Sequence, residues 1–283
     1  MLRSILSLGA VLAITACGGR ESSDQFVGFT DEPLHQAHAH NDYLHERPLL
    51  DALEHGFMSI EADVFAFPLL GDALYVAHDI NDIRPERTLR TLYLEPIRQR
   101  IDTLGALQPG QDRPLQLLID FKSSAESTWR ALDAALQPYA SYLTRFENGH
   151  IVEGWVSVVI SGNRPTQTLA SAGQRLAFID GRLSDQDAPP PNDLMPLISD
   201  NWANHFDWRG EGAMPADEYD TLQQIINSAH LYGYRLRFWN TPDAAGPART
   251  ALWQVLYDLG VDHINTDDLA GLAQFLRNQA PRD

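Results

Sequence analysis

Eight short apolar runs, separated mainly by longer amphipathic stretches, occupy the chain after residue 32 and leave few folds open to it. The runs are Leu34–Ala39, Phe57–Val64, Leu115–Phe121, Trp155–Ile160, Leu176–Asp180, Met195–Ser199, Tyr234–Asn240 and Val261–Thr266. Helical periodicity occupies Arg47–His55, Leu92–Leu104, Ser127–Leu143, Thr166–Ala172, Asp217–Tyr232 and Ala248–Leu259, with a last helix at Leu269–Gln279. Alternating strands and helices predict a parallel sheet clothed in helices. Eight such units in about 250 residues predict a single-domain, closed (β/α)8 TIM barrel. The competitor is an open doubly wound sheet, but no glycine-rich loop follows the first strand. One extra β-like piece, Ala73–Ala77, follows the second strand across Gly71-Asp72 and reads as a hairpin.

The amino terminus reads differently. Arg3, an apolar run from Ile5 to Ile14 and small residues before Cys17 form the pattern of a bacterial lipoprotein signal. Residues 1–16 are therefore expected to be a signal peptide, residues 17–31 a tether lipidated at Cys17, and residues 32–283 the barrel. That expectation places the protein in the cell envelope, anchored to a membrane by acyl chains and facing the periplasm or the outer membrane. Cys17 is the only cysteine, so no internal disulfide forms. Lys and Arg total 21 against 38 acidic residues, a net charge of −17. Such a surface repels nucleic acid, and any anionic substrate must meet a local positive site. A monomer is expected.

Active residues of such barrels gather at the carboxyl ends of the strands. There the sequence places polar residues repeatedly. His38 and His40 share one face of the first strand, as Glu61 and Asp63 do on the second and Asp120 and Lys122 on the third. Buried carboxylates packed together are costly without a cation. Three of them suit a hard ion such as Mg²⁺ or Ca²⁺, with Lys122 and two histidines alongside for charge neutralisation and proton transfer.

The strings AHAHNDY, IEADVF, VAHD and LLIDFK, in this order and spacing, resemble the glycerophosphodiester phosphodiesterase and phosphatidylinositol-specific phospholipase C-like superfamily. The nearest branch has the HAHNDY start and includes bacterial lipoproteins and fungal proteins. VVISGNRP, RLRFWNTPD and GVDHINTDDL extend the resemblance from about His35 to Leu272. It implies that His40 and His78 are the catalytic histidines, that Glu61, Asp63 and Asp120 bind one divalent metal, and that Lys122 contacts phosphate. Trp239 resembles a tryptophan that borders the substrate. Typical glycerophosphodiesterases carry Arg-Gly after the first histidine, whereas this chain has Asn41-Asp42. Asn41 is therefore a candidate for binding phosphate or a substrate hydroxyl. Arg237, on the same strand face as Trp239, either supplies the missing cation or forms an interior ion pair.

The activity implied is cleavage of a glycerophosphodiester or phospholipid-like substrate by two-histidine acid–base chemistry. Two rivals stand beside it. His38-x-His40 is also a metal motif of amidohydrolase and PHP-type metallohydrolases, although later strands lack the further histidines those families need. A non-catalytic binding lipoprotein on a barrel scaffold is the other. The aromatic loop of Trp202, Phe206 and Trp208 either lines a cleft or caps the barrel. Asn163 either meets substrate or serves a turn, and Asp79 orients the loop or His78.

Overall fold

The computed structural model describes residues 32–279; residues 1–31, including Cys17, lie outside them. Eight parallel strands close on themselves: β1 (Leu34–Ala39), β2 (Phe57–Ala66), β4 (Leu115–Phe121), β7 (Val156–Gly162), β8 (Ala177–Gly181), β9 (Leu197–Asn201), β10 (Arg235–Trp239) and β11 (His263–Thr266). Closure comes from β1, which pairs with β2 on one side and β11 on the other. The predicted hairpin is present: β3 (Leu74–Val76) runs antiparallel to β2. A second hairpin, β5 (Arg145–Glu147) with β6 (His150–Val152), was not expected. Asn148 and Gly149 at its tip both have positive φ, which a tight turn of this kind requires.

Helices α1 (Leu50–Glu54), α2 (Glu95–Leu104), α3 (Ala125–Leu136), α4 (Thr166–Ser171), α5 (Ala216–Leu231), α6 (Pro247–Leu259) and α7 (Leu269–Arg277) fill the intervals between strands and follow the last. The helix expected over Ser127–Leu143 stops at Leu136. Pro138 then lies in a short 3-10 turn, Gln137–Tyr139, because it offers no amide to continue the helical ladder.

Register decides which side chains meet inside the barrel. His38 lies beside Ser59 and Asn265, Asp63 beside Asp120, Asp120 beside Ser161, and Arg237 beside Ser199 and His263. Paired residues of neighbouring strands point to the same face, so one set of alternate positions lines the lumen around the whole circle. Its apolar part is the small cluster Leu118, Val159, Phe178 and Leu197. The complementary set, including Ala37, Ile60, Leu117, Val158, Ile179, Phe238 and Ile264, joins the large core. The lumen is thus free to carry charge because most apolar burial lies outside it.

Asp42, just past β1, is fully buried and accepts from the Leu49 amide at 2.7 Å and the Tyr93 hydroxyl at 2.9 Å. Burial pushes its carboxyl up to about 7 despite those bonds. The folded state therefore holds this proton more tightly than the unfolded chain does, and stability falls as pH rises from about 4 through about 7. Urea unfolding at pH 5 and pH 8 is expected to show this loss in the native protein. In Asp42→Asn it should shrink by about 2–3 kcal/mol; an unchanged pH dependence would contradict the assignment.

Candidate active site at the carboxyl ends of the strands

Most of the residues singled out from the sequence converge at one end of the barrel. Glu61, Asp63 and Asp120 each present an oxygen within 4.8 Å of the others. Around this cluster the hydrogen bonds are divided. Glu61 Oε2 accepts from Arg237 at 2.7 Å and lies 3.1 Å from His38 Nε2. Burial opposes its ionisation, but the Arg237 guanidinium and the His38 bond hold it well below the usual carboxylate range. Asp63 Oδ2 accepts from the Tyr43 hydroxyl at 2.7 Å and from Lys122 at 3.1 Å. Its other oxygen, Oδ1, is buried with no hydrogen-bond partner among the described residues. Burial pushes the Asp63 carboxyl up, Glu61 and Asp120 add to the rise, and Lys122 offsets part of it. Lys122 also reaches Asp120 at 3.2 Å; these two carboxylates outweigh its burial and keep it charged.

Such a donor set fits a metal ion. Three carboxylates face two fixed cations, Lys122 and Arg237, leaving one negative charge uncompensated. A buried oxygen with no hydrogen bond is rare and calls for a partner. All-oxygen donors are what Mg²⁺ and Ca²⁺ take.

The two expected histidines are oriented in parallel ways. His40 Nδ1 lies 2.8 Å from Asp267 Oδ1, and the Asn41 amide reaches the same oxygen at 3.2 Å. With its proton on Nδ1 toward Asp267, His40 keeps Nε2 for a ligand. Burial draws its pKa down, but the Asp267 bond and the nearby carboxylates outweigh that and raise it. His78 Nδ1 lies 3.0 Å from the Tyr43 hydroxyl and 3.3 Å from Asp63 Oδ2, and its ring is largely exposed. Tyr43, which also bonds Asn41 Oδ1 at 2.8 Å, ties both histidine loops to the acidic cluster. Trp239 lies at the end of β10 and is 38% exposed.

Several alternatives are resolved. Arg237 forms the interior ion pair with Glu61 and donates to Asn265 at 2.9 Å. His38 is fully buried, with both ring nitrogens engaged by Ser59 and Glu61. Asp79 accepts from the Asn81 amide and orients its own loop. Asn163 donates to Ser123 across neighbouring loops. Trp202 and Phe206 pack with tilted rings 4.2 Å apart and are buried, as is Trp208, so that loop caps the barrel. Sequence reasoning assigned no role to Tyr43, Asp267, Ser59 or Asn265. Tyr43 and Asp267 sit inside strings already quoted, at the ends of the first and last strands.

Gly162 shows how tightly Asp120 is held. Its φ is +67°, and a Cβ there would lie 2.4 Å from Asp120 Oδ1 and 2.6 Å from the Phe121 carbonyl. Gly162→Ala is expected to cost about 1–3 kcal/mol and to weaken divalent-ion binding by displacing Asp120. Thermal melts and calorimetric ion titration check this; native values in both would show that the Asp120 position does not matter.

Two family models match stretches of the chain. The AIM6-like phosphodiesterase domain matches residues 30–180, and the glycerophosphoryl diester phosphodiesterase family matches residues 235–270. Altered inheritance of mitochondria protein 6 homolog of Arthroderma benhamiae is 31% identical over 279 residues, covering 88% of this chain and 85% of its own. Altered inheritance of mitochondria protein 6 of Eremothecium gossypii is 31% identical over 272 residues, covering 86% and 69%. Among solved structures, a glycerophosphodiester phosphodiesterase of Thermotoga maritima aligns with a TM-score of 0.44 and 10% identity, covering 86% of this chain and 98% of its own.

These relatives correct one expectation. They are fungal proteins rather than bacterial envelope lipoproteins, so the lipid-anchored address in the cell envelope, facing periplasm or outer membrane, is withdrawn. The acyl anchor at Cys17 and the membrane partner find no support in them. Among the described residues, no helix is long and apolar enough to cross a membrane. With a domain match over more than half its length and relatives aligned over most of it, the chain belongs to the AIM6-like phosphodiesterase domain family.

Proposed function

We propose that the protein is a metal-dependent phosphodiester hydrolase acting on a glycerophosphodiester or a phospholipid-like diester. The observation that carries this is the buried, unpartnered Asp63 Oδ1 within a three-carboxylate cluster, flanked by two histidines anchored through Nδ1. Glu61, Asp63 and Asp120 would hold one Mg²⁺ or Ca²⁺. Bound there, the ion supplies charge stabilisation to the non-bridging phosphate oxygens. With such an ion held there, the cluster's single net negative charge would become positive and would complement a monoanionic diester.

The remaining chemistry belongs to the chain. One of His40 and His78 takes the proton of the attacking hydroxyl through Nε2, and the other returns a proton to the leaving alkoxide. Asp267 holds His40 in the required tautomer and stabilises its charged form, while Tyr43 and Asp63 orient the His78 ring through Nδ1. Lys122 pairs with phosphate and Trp239 borders the organic part of the substrate. Asn41 assists by orienting Asp267 and, through Tyr43, the second histidine. Arg237 acts at one remove, by fixing Glu61. An amidohydrolase-type centre is disfavoured because His38 has no free ring nitrogen to offer a metal.

Hydrolysis of bis(p-nitrophenyl) phosphate and of glycerophosphocholine, followed by phosphorus NMR, tests the reading. Turnover that is lost in both His40→Ala and His78→Ala is the expected result. A folded protein with no turnover of these or of lysophospholipid and phosphoinositide diesters would favour a non-catalytic scaffold.

A further inference from the structure

At the opposite end of the barrel lies a cavity of about 620 Å³, bounded by the starts of β1, β10 and β11 and by the segment before β4. Its size falls within the usual range for small-molecule sites. Its lining carries two arginines against one aspartate, in a protein whose net charge is −17. Arg113 and Arg235 line both this cavity and a neighbouring one of about 240 Å³, so they stand where the two meet. Among the described residues, Arg235 has no carboxylate within ion-pair distance, and Arg113 reaches Asp112 only through Nε at 3.6 Å. The carboxylate in the lining, Asp262, is already engaged: one of its oxygens accepts from the Leu236 amide and meets His230, each at 2.9 Å.

Two further groups point to a missing partner. His263 is 4% exposed, and neither of its ring nitrogens has a hydrogen bond among the described residues. His35 is held by Asp112 at 3.0 Å through Nε2, while its Nδ1 is buried and unpartnered. Buried polar atoms without partners are costly unless something meets them. Here they line the same cavity as two under-compensated guanidinium groups. Burial, together with the charge of Arg113, draws the Arg235 pKa down to about 10, and Asp262 only partly opposes this. An anion between the two arginines would reverse that penalty, and planar guanidinium forks match phosphate oxygens in pairs.

We propose that this amino-terminal mouth is a second binding site, for a small phosphorylated organic molecule whose phosphate lies between Arg113 and Arg235 and whose hydroxyls meet His35 and His263. The cavity is too large for a bare ion alone, so the organic body fills the rest. The site is independent of the phosphodiesterase reading, because it lies at the other mouth of the barrel and shares no residue with it.

The test is a titration of the intact protein with glycerol 3-phosphate, and separately with inorganic phosphate, followed through the histidine ring resonances in proton–carbon NMR. Saturable shifts of His35 and His263 are expected, with a dissociation constant at or below about 1 mM for glycerol 3-phosphate and weaker binding of inorganic phosphate. They should persist in Lys122→Ala, which removes the phosphate contact at the other mouth. They should weaken about tenfold or more in Arg235→Gln. Arg113 is largely exposed, so Arg113→Ala provides a second variant expected to fold normally and to weaken binding while leaving diester turnover unchanged. The proposal is overturned by absence of saturable shifts at His35 and His263 in the native protein. It is equally overturned if the shifts vanish in Lys122→Ala, or if they survive undiminished in the arginine variants that fold.

Discussion

His40→Ala is expected to lower phosphodiester turnover by about 10²–10⁴-fold while leaving the fold intact. The size follows from what the ring does. Its Nδ1 is committed to Asp267 at 2.8 Å, so Nε2 is the atom left to exchange a proton with substrate, and alanine removes that exchange altogether. The structural cost is small because the ring is partly exposed and Asp267 keeps the Asn41 amide. Asp267→Asn provides the control: it retains the imidazole but removes the charge that orients it. An intermediate loss is expected, together with a shift of the pH–rate profile toward lower pH, since the Asp267 bond is the first of the contributions that raise the His40 pKa against its burial. Steady-state rates of the two variants across pH 5–9 check both statements. A His40→Ala enzyme within a few-fold of the native rate would remove His40 from the chemistry.

Glu61→Gln should affect stability and function together. Arg237 is 3% exposed and pairs with Glu61 at 2.7 Å, so neutralising the acid leaves a buried cation without its partner. Breaking such a pair costs about 3–5 kcal/mol, which for a domain of this size lowers Tm by about 10 °C. The same change removes one of three carboxylates from the acidic cluster and is expected to abolish divalent-ion binding. Glu61→Gln combined with Arg237→Met separates the two effects. The double variant should recover most of the lost stability, because the orphaned charge is gone, and none of the ion affinity. Recovery of ion binding in the double variant would mean that Glu61 serves the fold and not the ion.

How far the sequence foretold this arrangement depends on the distance over which each feature is decided. β1 and β4 have the expected bounds, because alternating apolar residues within one strand carry their own signal. The same two-residue period placed Glu61 with Asp63 on a shared face. Register between strands then brought Asp63 beside Asp120, a pairing that a single strand does not encode. The Asn148-Gly149 hairpin was legible but went unread, since its strands are only three residues each. Asp267 is a different case. It lies 227 residues from His40, and its bond exists only because the eighth barrel strand closes against the first. Arg237 stood between two readings until closure placed Glu61, 176 positions away, within reach of its guanidinium. The amino-terminal segment misled for another reason: a short apolar run ending in cysteine is a local pattern, and the fungal relatives overrule the bacterial address drawn from it.

The most direct test of the account is the metal requirement of the native enzyme. Protein stripped with EDTA should cleave no bis(p-nitrophenyl) phosphate, and adding back Mg²⁺ or Ca²⁺ should restore the native rate. Asp63→Asn, which neutralises the carboxylate bearing the unpartnered oxygen, should stay inactive at any ion concentration. Full activity in EDTA, or an Asp63→Asn enzyme as fast as the native one, would contradict the assignment of Glu61, Asp63 and Asp120 as the metal site on which the proposed function rests.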